Sequence, residues 1–141
     1  MNNLSCNILG KYISNINRDF IKYCEPKLAK YNLTLTTWRC MIVIDKTQNC
    51  SLKTIAESLN VDNALITRNI KKLKELNYIL KNPRKEDSRY FQLELTSKGK
   101  EVLSKVDKFQ GLWYEKITTG FNEEEIETLV KLFDKLCMNI K

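Results

Sequence analysis

The side chains with the most chemical potential in this 141-residue chain are cations, and they are grouped. Between Asn60 and Lys100 lie ten basic residues: Arg68, Lys71, Lys72, Lys74, Lys81, Arg84, Lys85, Arg89, Lys98 and Lys100. Five acidic ones oppose them (Asp62, Glu75, Glu86, Asp87 and Glu94), an excess of five against a total formal charge of +7. Guanidinium and ammonium groups gathered in this way suit a polyanion, because each neutralised phosphate releases condensed counterions. Other chemistry lacks its parts. The chain has no histidine, no glycine-rich phosphate loop and no nucleophile paired with a base, so an enzyme is not expected. Cys6, Cys24, Cys40, Cys50 and Cys137 are scattered without a C-x-x-C pair, so neither a zinc site nor another cofactor is expected. They read as free thiols packed as small apolar groups in a reducing compartment.

Two kinds of periodicity position the cations. Ile66, Ile70 and Leu73 fall in one narrow sector of a helix at 100° per residue, and Ala64, Thr67, Arg68 and Lys71 fall roughly opposite. Such a helix presents short polar and long basic side chains outward, the arrangement that a helix lying in the major groove needs. A shorter helix over Leu52, Ile55, Ala56 and Leu59, capped by Ser51, precedes it across the turn Asn60-Val61, with Asp62 as the next cap. After Asn77 the period changes to two, with Phe91, Leu93 and Leu95 alternating with Tyr90, Gln92 and Glu94. Tyr78–Leu80 is the expected partner strand, and Lys81–Arg89 the expected loop of the hairpin. Asp87, two residues before Arg89, is placed to orient its guanidinium.

The rest of the chain reads as helix. Residues 4–24 carry one apolar stripe, which Pro26 is expected to kink or interrupt. Asn32 reads as a stop and Thr34 as a cap for a helix containing Trp38, Met41, Ile42 and Ile44. Thr96 caps a long helix with Val102, Leu103, Val106, Phe109, Trp113 and Ile117, and Asn122 begins a last one. The expected fold is mostly α with a small β wing: a winged helix-turn-helix region over 35–96, flanked by helices over 1–34 and 97–141. At 43% hydrophobic and 29% charged, the composition excludes a disordered chain. The longest apolar run, Cys40–Ile44, is far below the roughly 20 residues of a membrane span. Met1–Tyr12 lacks a basic segment followed by an apolar one, so a cytoplasmic protein without membrane contact is expected.

Four stretches in order resemble the multiple-antibiotic-resistance regulator family, MarR. They are Asn32-Leu33-Thr34-Leu35-Thr36-Thr37-Trp38, then Ile55-Ala56-Glu57-Ser58-Leu59-Asn60-Val61, then Ile66-Thr67-Arg68 with Ile70 and Leu73. The fourth, and the most specific, is Asp87-Ser88-Arg89 leading to Leu95-Thr96-Ser97-Lys98-Gly99. The resemblance covers the chain from about Ile13 to its end. Asn60 and Asn77 depart from the family by replacing glycines common in the two turns, and asparagine tolerates the left-handed geometry.

The resemblance implies a transcriptional regulator, usually a repressor, that binds a pseudo-palindromic operator on double-stranded DNA as a homodimer. Terminal helices of both subunits would interlock, which also covers apolar stripes too extensive for one winged domain. Candidate DNA contacts are Asn63, Ala64, Thr67, Arg68, Lys71 and Lys74 on the helix, with Arg84, Lys85, Asp87 and Arg89 on the wing. Family members often bind small aromatic effectors, for which Tyr31, Trp38, Phe109 and Trp113 are the candidates, all four equally readable as core. Peroxide-sensing relatives keep a reactive cysteine in the first helix; here Gly10 takes that position, with Cys6 about a turn earlier, so Cys6 or Cys24 carries the thiol-sensing alternative. A winged-helix module that binds protein is the other alternative, and it would need an apolar or acidic face where Thr67, Arg68 and Lys71 stand.

Overall fold

Capping residues set the boundaries of most elements in the structure, a computed structural model that describes the backbone of residues 3–140 and the side chains of residues 8–140. Thr34, Ser51, Asp62 and Asn122 each accept a hydrogen bond from the backbone N–H three residues on. In order the elements are α1 (Asn3–Ala29), α2 (Leu35–Lys46), α3 (Leu52–Leu59), α4 (Asn63–Glu75), β1 (Ile79–Pro83), β2 (Phe91–Leu95), α5 (Ser97–Ile117) and α6 (Glu123–Asn139). The chain forms two compact units, residues 1–109 and 110–141, and α5 runs across their boundary.

Of the two outcomes expected at Pro26, interruption does not occur: α1 runs through it to Ala29. A proline removes one N–H from the ladder. Here Cys24 and Leu28, one turn apart, are both buried, and the Leu28 carbonyl accepts from the N–H groups of Tyr31 and Leu33. Burial and the closing hydrogen bonds offset the loss of one bond. The left-handed positions fall on asparagines: Asn32, Asn49, Asn60 and Asn77 have φ of 57°, 53°, 52° and 58°. Asn60 and Asn77 thus do what glycine would do at the two turns.

The core of the first unit gathers Leu28, Trp38, Cys40, Met41, Ile55, Ile66 and Leu73, all nearly inaccessible. Ile66, Ile70 and Leu73 are the buried row of α4, as the angular reading predicts. Thr37 is buried among them; its hydroxyl donates to the Thr34 carbonyl at 2.9 Å and accepts from the Thr34 N–H at 2.7 Å. β1 and β2 pair antiparallel from Ile79↔Leu95 to Pro83↔Phe91, so the hairpin ladder is two residues longer on the β1 side than Tyr78–Leu80 predicts, and its loop is shorter than Lys81–Arg89. The alternation on β2 is half realised: Leu93 and Leu95 are buried, whereas Phe91, nearer the hairpin tip, is exposed.

Three ties hold the hairpin to the body. The Leu93 N–H donates to the Cys50 carbonyl at 2.8 Å, Thr96 Oγ1 donates to the Asn77 carbonyl at 2.7 Å, and the Thr96 N–H to the Tyr78 carbonyl at 3.0 Å. The Tyr78 hydroxyl in turn donates to the Tyr31 carbonyl at 2.9 Å.

Candidate nucleic-acid interface

Asp62 opens α4 by accepting from the Leu65 N–H at 2.8 Å, which sets which residues face outward. Asn63, Ala64, Thr67, Arg68, Lys71 and Lys74 are all exposed, opposite or beside the buried row. Thr67 is oriented by its own helix: its hydroxyl donates to the Asn63 carbonyl at 2.8 Å. Asn69 turns back similarly, donating to the Leu65 carbonyl at 2.7 Å.

The wing tip is organised by Asp87. Its carboxylate accepts from the Arg89 backbone N–H at 3.0 Å, from Nε at 3.0 and 3.2 Å, and from Nη2 at 2.7 Å. Those bonds hold the Asp87 carboxyl below its usual range. A surface ion pair of this kind adds little stability. Its effect is geometric, because a guanidinium clamped along one edge keeps its other edge free to donate. Arg89 remains mostly exposed.

A groove of about 600 Å³ lies between α4, the N-terminal end of α3 and the hairpin. Thr67, Lys71, Lys74 and Arg89 line it, so four of the residues singled out from sequence converge there. Lys53 and Lys81 join them, with Tyr90 and Phe91 supplying exposed aromatic surface, and no carboxylate lines the groove. Lys81 Nζ lies 4.7 Å from the centre of the Phe91 ring. Lys53 and Phe91 escaped sequence reasoning: the first sits on a helix read only for its apolar spacing, and the second follows a pattern that predicts burial. Lys85 is elsewhere, beside a second cleft of about 410 Å³ with Asp45, Glu86, Glu94 and Lys100. Arg84 folds back at the base of the loop, with its guanidinium 5.7 Å from the Tyr90 ring and Nη2 3.4 Å from the Asn49 carbonyl. Asn63, Ala64 and Arg68 stand on the outward face of α4, outside that groove.

The four aromatic residues considered for an effector are divided between the two units. Tyr31 and Phe109 are half-buried in the first unit, Trp38 is buried there, and Trp113, also buried, belongs to the second. Trp38 packs against Phe20 at 6.2 Å between ring centres. Its indole N–H has no partner of hydrogen-bonding geometry, although the Asp107 carboxyl lies near enough to be affected by it. Of the cysteines, Cys24, Cys40 and Cys50 are buried free thiols, and burial raises all three. Cys40 and Cys50 are pushed up to about 11, which leaves little of the thiolate that a peroxide sensor uses. Cys6 lies outside the described side chains. Among the described residues no cluster could hold a metal ion, and no helix is long and apolar enough to cross a membrane.

A helix-turn-helix followed by a two-stranded hairpin, with cations on the second helix and the hairpin tip, defines a winged helix-turn-helix protein. Residues 33–91 match the MarR family model. The HTH-type transcriptional regulator BilQ of Clostridioides difficile is 38% identical over 129 residues, 92% of this chain and 87% of BilQ. A MarR/EmrR family transcriptional regulator from Acinetobacter sp. ADP1 superposes with a TM-score of 0.80 at 27% identity, covering 99% of this chain and 98% of that one. Streptococcus pneumoniae FabT, solved in complex with DNA, shares the fold at a TM-score of 0.80 and 23% identity, over 95% of this chain and 96% of FabT. The chain belongs to the MarR family of transcriptional regulators.

Proposed function

We propose that the protein is a homodimeric repressor that binds a pseudo-palindromic operator through α4 in the major groove and the wing tip in the flanking minor groove. The observation that carries this reading is the groove between α4 and the hairpin, lined by Lys53, Lys71, Lys74, Lys81 and Arg89 and by no carboxylate, although Lys53 and Arg89 pair outside it with Glu57 and Asp87 respectively. Dehydrating such cations is costly, and the release of counterions condensed on the phosphates they neutralise offsets that cost. The Asp87 clamp presents Arg89 as a compact cation suited to a narrow A·T minor groove.

The second copy is supported by apolar surface. Ile8, Leu9, Tyr12, Ile13 and Ile16 of α1 are exposed, as are Leu129, Val130, Phe133 and Leu136 of α6, a helix with no buried residue. Patches of this extent mark interfaces. A self-complementary interface would put two recognition helices one helical turn, roughly 10 base pairs, apart. No observation favours a small aromatic effector over core packing for Tyr31, Trp38, Phe109 and Trp113; of the two thiols that carry the sensing alternative, Cys24 is buried and its thiol is pushed up by that burial, which speaks against it.

The test is fluorescence anisotropy of labelled duplexes, recovered by selection from random sequence, across a range of salt. The logarithm of affinity should fall linearly with the logarithm of salt, and Lys71→Ala should lower that slope by about 1. Affinity indifferent to salt, or a sedimentation mass equal to the 16.6 kDa of one chain, would defeat the reading.

A further inference from the structure

We infer that Ala64 and Thr67 together read a thymine through its 5-methyl group, while Arg68 beside them reads a guanine, so each half-site carries one thymine and one guanine fixed by α4. The inference rests on the DNA-binding reading above and names what that site recognises.

It starts from the Thr67 hydroxyl. Threonine on a recognition helix usually has a donor, an acceptor and a methyl to offer a base. Here the hydroxyl proton is committed to the Asn63 carbonyl at 2.8 Å, one turn back along α4. With the oxygen turned onto the backbone, what an exposed Thr67 offers outward is its γ-methyl and at most a lone pair. Ala64, three residues earlier and also exposed, adds a second methyl on the adjoining row of the same helix. These two methyls form a small apolar spot between polar neighbours, Asn63 before them and Arg68 after. The major groove has one apolar feature to match it, the thymine methyl.

Arg68 lies one turn beyond Ala64 and is exposed, and no hydrogen bond or ion pair to it is found among the described residues. Its guanidinium keeps all its donors available for guanine O6 and N7, the pairing that planar fork fits best. Lys71 and Lys74, by contrast, line the groove toward the wing, where a mobile point charge suits phosphate.

The experiment uses the full chain and the duplexes recovered by selection from random sequence, with each thymine replaced in turn by deoxyuridine, which lacks only the methyl. At one position per half-site the replacement should weaken wild-type binding about fourfold, the worth of one buried methyl. Thr67→Ser, which keeps the hydroxyl and loses the methyl, should be less sensitive to that replacement. Thr67→Val, which keeps the methyl and loses the hydroxyl, should remain as sensitive as wild type. Arg68→Ala should relax the preference for guanine at one position by about tenfold or more. Tolerance of deoxyuridine at every position would overturn the inference, as would a change of base preference in Thr67→Val but not in Thr67→Ser. Duplex bound tightly without any enriched sequence would overturn it while sparing DNA binding; no duplex bound at all would remove both.

Discussion

Cys40 and Cys50 are both closed to solvent, and burial lifts both thiols from an ordinary 9.0 to about 11. A group that holds its proton more tightly when folded stabilises the fold at pH values below its unfolded pKa, and that contribution is lost as pH rises through the folded value. Between pH 9 and 11 the unfolded chain therefore ionises these thiols while the native one does not, and stability should decline over that interval. Urea melts across the range should show the midpoint falling, and Cys40→Ala should flatten the decline even though it also lowers the starting stability. A midpoint unchanged from pH 8 to 11 would mean that the two thiols reach water. The residue scale was well represented in the sequence where a residue type has few uses. Asn60 and Asn77 announced left-handed turns, and Asp87 with Arg89 announced their own pairing. Asn49, also left-handed, gave no such signal, because in the polar connector 47–50 after α2 no single residue is marked as the turning one. The hydroxyl direction of Thr67 was illegible for a different reason: a threonine in a helix has two ways to turn, and sequence does not choose between them.

Helices opened by a capping residue were legible almost to the residue, the end of α1 was not, since it runs through Pro26 to Ala29, and the hairpin was legible only in part. Its ladder runs to Pro83 because a two-stranded ribbon needs no second partner, so proline's missing N–H can face outward. Its apolar alternation fails at Phe91 because the hairpin tip extends past the body that would cover it. The junction of hairpin and α5 depends on Gly99. A β-carbon added there would overlap the Tyr78 carbonyl oxygen, with backbone on both sides of the clash. Thr96 fixes that approach by accepting from the Gly99 N–H at 3.0 Å while donating to Asn77. Gly99→Ala should consequently cost about 3 kcal/mol or more, as overpacking against immovable backbone does. Thermal unfolding followed by circular dichroism measures it, and an unchanged midpoint would show that α5 can pivot away from Tyr78.

At the scale of the whole molecule the sequence supplied the charge asymmetry and the apolar stripes but not what covers them, since an exposed stripe and a buried one have the same spacing. On the homodimer reading, Phe133→Glu on α6 should favour single chains in sedimentation and weaken operator binding about a hundredfold. Both effects have one cause, the loss of the second half-site's effective concentration. Retention of the wild-type mass and affinity would point to a subunit contact that does not use this face.

The ties from Leu93 to Cys50 and from Thr96 to Asn77 have a mechanical consequence for that encounter. They fasten the base of the hairpin to the start of α3 and the end of α4, so that, on the proposed reading of α4 as the recognition helix, helix and wing act as one calliper rather than as two independent fingers. A duplex whose two grooves do not match the jaw must itself bend or change groove width to be gripped. Stiffness of the DNA outside the contacted bases then enters the choice of site. Operators differing only in uncontacted spacer steps should rank by how easily those steps yield.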